Sequence, residues 1–133
     1  MQKYKTQLRV RHYELDTLGH VNNAVYQNYL EQAAIEHLEQ FGFSLQRYRE
    51  LGGVFVMRRM AIEYLRPSLA GDTLEIVTWI DNMGRARTIR HYEIYRQGED
   101  APLVTAEALW VWVDLEKMRP KPIPKVFLEL FAS

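Results

Sequence analysis

Apolar positions recur along this chain in two rhythms, and the switch between them divides the sequence. From Asn23 to Phe41 the residues Tyr26, Leu30, Ala33, Ala34, Leu38 and Phe41 fall at helical spacing, which predicts one long helix. A second stripe, including Val25, Tyr29 and Ile35, widens its apolar face beyond that of a surface helix, so other elements should wrap around it. Asn22 or Asn23 can cap its start, because a short amide accepts from an orphan backbone N–H. Gly42 follows Phe41 where a left-handed residue is wanted to end the last turn.

From Val54 onward the rhythm is that of strands. Val54–Leu65, Leu74–Asp81, Arg85–Arg96 and Leu103–Asp114 are rich in Val, Ile, Thr and aromatic residues. Ahead of the helix, Lys5 to Tyr13 alternate in part, with Leu8 and Val10 on one face, and predict a first half-buried strand. The separators between later strands are Pro67 to Asp72, Asn82-Met83-Gly84 and Gly98 to Pro102, short enough for antiparallel neighbours joined by hairpins. After Pro120, Pro122 and Pro124, the stretch Lys125 to Phe131 has the pattern of a short closing helix. The sum is an α+β chain in which a curved, largely antiparallel five-stranded sheet packs over one central helix, with residues 1–133 forming a single domain.

Composition narrows the chemistry. Hydrophobic residues make up 47% of the 133, enough for a core without staples. Lys+Arg and Asp+Glu each number 17, so the basic excess expected of a nucleic-acid-binding protein is missing. With no cysteine there is no disulfide framework, no thiolate nucleophile and no Cys-based zinc site, which fits a reducing compartment; the cytoplasm is the expected location. No stretch approaches the roughly 20 apolar residues of a membrane span, so no membrane insertion is expected.

The usual marks of acyl-transfer machinery are missing too. There is no G-x-S-x-G elbow around Ser44, Ser68 or Ser133, and His12, His20, His37 and His91 form no H-E-x-x-H pair. No glycine pattern of the P-loop or Rossmann type is present, and Gly52-Gly53 reads as a bend before a strand. What remains is the run from Tyr13 to Tyr26, YELDTLGHVNNAVY. Its D-x-x-G-H-V-N-N-A-x-Y pattern resembles the 4-hydroxybenzoyl-CoA thioesterase-like branch of the hotdog superfamily, and the predicted element order extends the resemblance over almost the whole chain. Within that branch the chain is similar to the fatty acyl-ACP and acyl-CoA thioesterases, including methylketone-synthase-like enzymes.

The resemblance implies hydrolysis of a fatty or β-ketoacyl thioester of CoA or acyl carrier protein, without metal or redox cofactor, by a homo-oligomer, either dimer or tetramer. It places the catalytic carboxylate at Asp16, which can attack the carbonyl directly or hold a water as general base. At Asn23 it places a backbone N–H that meets the thioester carbonyl from the helix N-terminus. Gly19 permits an unusual turn and close backbone approach, and His20 can position a side chain or water near Asp16. Without the motif each residue has a plainer reading: Asp16 as a turn residue, Asn22 and Asn23 as caps, His20 as a partner for a backbone carbonyl.

Glu31 and Glu36 are expected on the polar face of the helix, Arg58, Arg59, Arg66, Arg85 and Arg87 on solvated strand faces, and the strand aromatics in the core or at interfaces. Two alternatives share the same site: an aromatic acyl-CoA thioesterase, and an acyl-binding subunit without hydrolysis.

Overall fold

The structure is a computed structural model and describes residues 2–131; Ser133 lies outside the described residues. The first strand, β1 (Tyr4–Arg9), is shorter than its pattern predicts. It stops because Glu14 bends the chain back: its carboxylate accepts from the Arg11 N–H at 2.8 Å and from Arg11 Nη2 at 2.9 Å, closing a 3₁₀ turn over His12–Glu14. The central helix, α1 (Asn23–Glu39), begins where the sequence marks it. Asn22 is the cap, its side chain accepting from the Ala24 N–H at 2.9 Å. The helix ends two residues before Phe41, and Gly42, at φ +84°, turns the chain.

A second helix, α2 (Leu45–Leu51), was not foreseen from the apolar spacing. Its signals are at its ends: Ser44 accepts from the Arg47 N–H at 3.2 Å, and Gly52 closes it at φ +72°. The remaining elements are β2 (Gly53–Tyr64), β3 (Thr73–Asp81), β4 (Arg87–Arg96), β5 (Val104–Asp114) and α3 (Lys125–Phe131), all within two residues of their predicted bounds.

The five strands form one sheet in the order β1-β3-β4-β5-β2, with every neighbouring pair antiparallel. β3–β4 and β4–β5 are hairpins as anticipated, but β2 and β3 are not paired, so the segment Pro67–Asp72 is a crossover and not a hairpin loop. Its backbone is engaged elsewhere: the Ser68 carbonyl accepts from Val21 N–H at 2.9 Å, and Leu69 bridges to His20. The crossover thereby braces the entrance to α1.

The sheet curves over α1, whose Tyr26, Tyr29, Leu30, Ala33 and Ala34 pack with Leu74, Ile76, Tyr92, Ile94 and Val104 of the strands. A second cluster, Phe43, Trp112, Ile123 and Phe127, lies under α2 and α3. This is the hotdog architecture: one long helix held in a curved antiparallel sheet.

Candidate active site

The strand-to-helix connection is fixed almost wholly by main-chain bonds. Leu15 and Val21 bridge to each other, and the Asp16 N–H donates to the His20 carbonyl at 2.7 Å. Between them the chain makes a tight loop closed by the Gly19 N–H donating to the Asp16 carbonyl at 3.1 Å. Gly19 sits at φ +77°, the left-handed region in which a side chain is strained, so the glycine is required by the turn itself.

Asp16 finishes the loop with its side chain. Oδ1 accepts from the Leu18 N–H at 2.9 Å and the His20 N–H at 3.1 Å, while Oδ2 takes no hydrogen bond among the described residues. One carboxylate oxygen is thus anchored and the other is available, on an exposed loop beside the helix start. The turn role of Asp16 uses one oxygen and leaves the other unengaged.

At the helix start the Asn22 carbonyl accepts from Val25 and its side chain from Ala24. The Asn23 N–H, at the first helical position, has no intrahelical acceptor by the geometry of an α-helix, and it stands at the positive end of a 17-residue dipole. Asn23 presents its carbonyl to the Tyr64 hydroxyl, 3.4 Å away on β2. Of the four residues singled out by the motif, Asp16, Gly19 and His20 are joined by hydrogen bonds, and Asn23 opens the helix that follows. His20 takes part through its backbone; its ring makes no hydrogen bond among the described residues.

Two buried polar groups hold this assembly: Tyr26, which the motif contains but which the sequence reading places only on the apolar face of the helix, and Glu14, which lies outside the pattern. Tyr26, 2% exposed, donates to Ser68 Oγ at 2.9 Å and accepts from the Ser68 N–H at 3.2 Å, which locks the crossover to α1. Glu14 accepts from the Tyr29 hydroxyl at 2.8 Å, and its own carbonyl accepts from Asn22 N–H at 2.9 Å. Burial and then the hydrogen bond to the Glu14 carboxylate push the Tyr29 phenol well above its ordinary range, so it stays a donor.

The other end of α1 is chemically different. A cavity of about 620 Å³ opens between the C-terminal half of α1, α2 and the first part of β2, lined by Leu38, Phe43, Leu45, Phe55 and Trp110 among others. Arg90 also lines it, 3% exposed, donating from Nη1 to His37 Nδ1 at 2.9 Å and to Thr78 Oγ1 at 3.0 Å. Burial, then the charge of Arg90, push the His37 imidazole down to about 4, so the ring is neutral and its Nδ1 is an acceptor.

Glu31 lines the same cavity, while Glu36 ties α1 to β1 by accepting from Tyr4 at 3.1 Å and Thr6 at 3.0 Å. Among the described residues no three His, Asp or Glu side chains converge as metal ligands, and no helix is long and apolar enough to cross a membrane.

The profile of the thioesterase-like superfamily matches residues 10–131. Acyl-CoA thioester hydrolase YbgC of Escherichia coli O6:H1 is 34% identical over 98% of this chain and 96% of its own length. Acyl-acyl carrier protein thioesterase ATL3 of Arabidopsis thaliana, a chloroplastic protein, is 32% identical over 97% of this chain, which spans 67% of that protein. Among solved structures, YbaW of Escherichia coli, described as a probable thioesterase, superposes with a TM-score of 0.84 at 30% identity, covering 94% of this chain and 93% of its own. With the fold and these relatives in agreement over nearly its full length, the chain belongs to the thioesterase-like superfamily and is a hotdog-fold thioesterase.

Proposed function

We propose that this thioesterase hydrolyses fatty or β-ketoacyl thioesters of CoA or acyl carrier protein, with Asp16 as the catalytic carboxylate and the Asn23 N–H as oxyanion donor. The observation that carries the reading is the division of labour within Asp16: Oδ1 is held by two backbone N–H groups while Oδ2 is free beside the start of α1. A carboxylate anchored this way needs no rearrangement to act. The relatives support the substrate class by name, as an acyl-CoA hydrolase and an acyl carrier protein thioesterase.

Two routes use the same atoms. As general base, Oδ2 takes a proton from water; the hydroxide adds to the thioester carbon, the oxyanion is met by the Asn23 N–H, and collapse expels the thiolate, which recovers the proton. As nucleophile, Oδ2 adds directly, expels the thiolate and leaves a mixed anhydride, which water then cleaves. Single turnover in ¹⁸O-water detects the second route where water cleaves the anhydride at the Asp16 carbonyl, because label then enters the Asp16 carboxylate and not the released acid; trapping of the acyl-enzyme with hydroxylamine covers cleavage at the acyl carbonyl.

The test of the reading is thiol release from a panel of aliphatic and aromatic acyl-CoAs and acyl-ACPs by the unmodified protein and by Asp16→Asn. Release by the first and not the second supports it, and the preferred panel member decides between aliphatic and aromatic acyl groups. Equal release by both proteins rejects Asp16.

A homo-oligomer, dimer or tetramer, is part of the same proposal. The 12-residue β2 is an edge of the sheet, with a bulge between Met57 and Arg59, and a long edge is either covered or paired. Light scattering behind size exclusion checks it, and a monomer at micromolar concentration would refute it.

A further inference from the structure

Among the described residues Arg90 is the only buried cationic side chain, and it has no carboxylate partner there. Arg11, Arg66 and Arg96 each pair with a carboxylate, whereas Arg90 enters no salt bridge among the described residues. Its hydrogen bonds run from Nη1 alone, to a neutral imidazole and a hydroxyl. The N–H groups of Nε and Nη2 take no acceptor among the described residues. Arg90 lines the cavity between α1, α2 and β2. A guanidinium held out of water with donors unused is costly unless an anion meets it, and a planar carboxylate fits its fork.

The rest of the cavity states what should be attached to that carboxylate. Its walls are Ala34, Ile35, Leu38, Val54, Val56 and Met57, with the aromatic residues already named. The acidic side chains there are Glu31 and Glu39, both on α1. They give the cavity no positive field of its own, so an anion must be retained by contact with Arg90 and by burial of its apolar body.

We propose that this cavity binds an apolar chain bearing a carboxylate, with the carboxylate on the free guanidinium edge of Arg90. Two sources share that chemistry: a free fatty acid, and the far end of an acyl group that ends in a second carboxyl. The binding claim stands on the cavity alone; only the second source rests on the thioesterase reading.

The experiment is calorimetric titration of the whole protein with octanoate and, as its neutral counterpart, octanol. Octanoate is expected to bind at least about tenfold more tightly, as a charge-assisted pair would give. Arg90→Met should erase that preference while keeping octanol binding. Ile35→Trp is a second variant that leaves Arg90 untouched; Ile35 is 53% exposed and lines the cavity, so an indole there should obstruct both ligands without a folding defect. Equal binding of octanoate and octanol by the unmodified protein overturns the proposal, and so does an unchanged preference in Ile35→Trp with full affinity.

Turnover of an ω-carboxyacyl-CoA against the plain acyl-CoA of equal length then separates the sources. A preference that Arg90→Met abolishes assigns the carboxylate to the substrate tail, and no preference assigns it to the free acid. Asp16→Ala should bind octanoate like the unmodified protein. If no thioester is cleaved at all, the hydrolytic reading fails while the binding result stands.

Discussion

The two ends of α1 carry their polar groups in opposite ways. At the N-terminal end Asp16 is exposed and its neighbours are backbone N–H groups supplied by a tight loop. At the C-terminal end His37 and Arg90 are 1% and 3% exposed, and their partners are each other and Thr78. A loop carboxylate solvated on one side can be replaced at little cost to folding, but its position relative to the helix start matters to chemistry. A buried imidazole and guanidinium are integral to packing, and their charge states are set by desolvation. Substitutions at the first end should therefore separate activity from stability, and changes at the second should not.

The largest expected effect is on rate. Asp16→Asn keeps an Oδ1 that can accept from Leu18 and His20 but removes the oxygen proposed to act as base or nucleophile. Thiol release should fall by about 10²–10⁴-fold, the usual worth of a positioned acid–base group, with the melting temperature changed by no more than a few degrees. A parallel collapse of stability would mean that Asp16 is chiefly a loop residue.

Next comes the pH dependence of folding at the other end. His37 has a folded-state value of about 4 against an ordinary 6.5, so the unfolded chain binds a proton that the folded chain refuses. The stability held above pH 6.5 should be lost as pH falls from there toward 4, by a total of roughly 3 kcal/mol for this group. The groups facing the ring are Arg90, Tyr4, Phe41 and Phe131, none of them a carboxylate that would welcome an imidazolium. Urea midpoints at pH 7 and pH 4.5, compared with those of His37→Gln, check it: the variant should lose less stability over that interval.

How much of this contrast is legible in the residues alone follows from what each end is made of. The N-terminal end is written locally: the run D-x-x-G-H-V-N-N holds the loop, the left-handed Gly19 and both candidate caps within a few residues, and of the two caps the structure uses Asn22. The C-terminal end is assembled from α1, α2, β2, β3, β4 and β5, and no local run describes it. One signal was available. In β4 the alternation that buries Thr88, Tyr92 and Ile94 also buries Arg90, and a cation in phase with core residues marks a site. The strand order was illegible for a similar reason, since a short Pro67–Asp72 link fits a hairpin as well as a crossover until the Ser68–Val21 and Leu69–His20 contacts are seen.

A packing test follows, smaller than the titration. Gly53 begins β2 with Trp112 pressed against it: an added Cβ would lie 2.5 Å from the indole ring, which is fully buried and cannot swing out. Gly53→Ala should cost about 1–3 kcal/mol by overpacking, read as a lower urea midpoint, with kcat altered less than stability. A neutral result would mean that the second cluster is loosely packed, and it would weaken the contrast between an end held by side-chain packing and a loop held by backbone bonds.

The smallest effect returns to the helix start, where stability and chemistry are closest together. Asn22→Ala removes the side-chain oxygen that accepts from the Ala24 N–H, at an exposed cap, and should cost about 1 kcal/mol. The neighbouring Asn23 N–H keeps its place only if the first turn stays wound, so kcat should fall several-fold while Asn22→Asp, which can cap equally well, restores both readings. A variant that loses the stability but not the rate would show that the first turn is held by the Asn22–Glu14 and Val21–Ser68 backbone bonds and not by the cap. In that case the Asn23 N–H proposed as oxyanion donor owes its position to the crossover, and that end of the helix is held from the sheet side as much as from the helix.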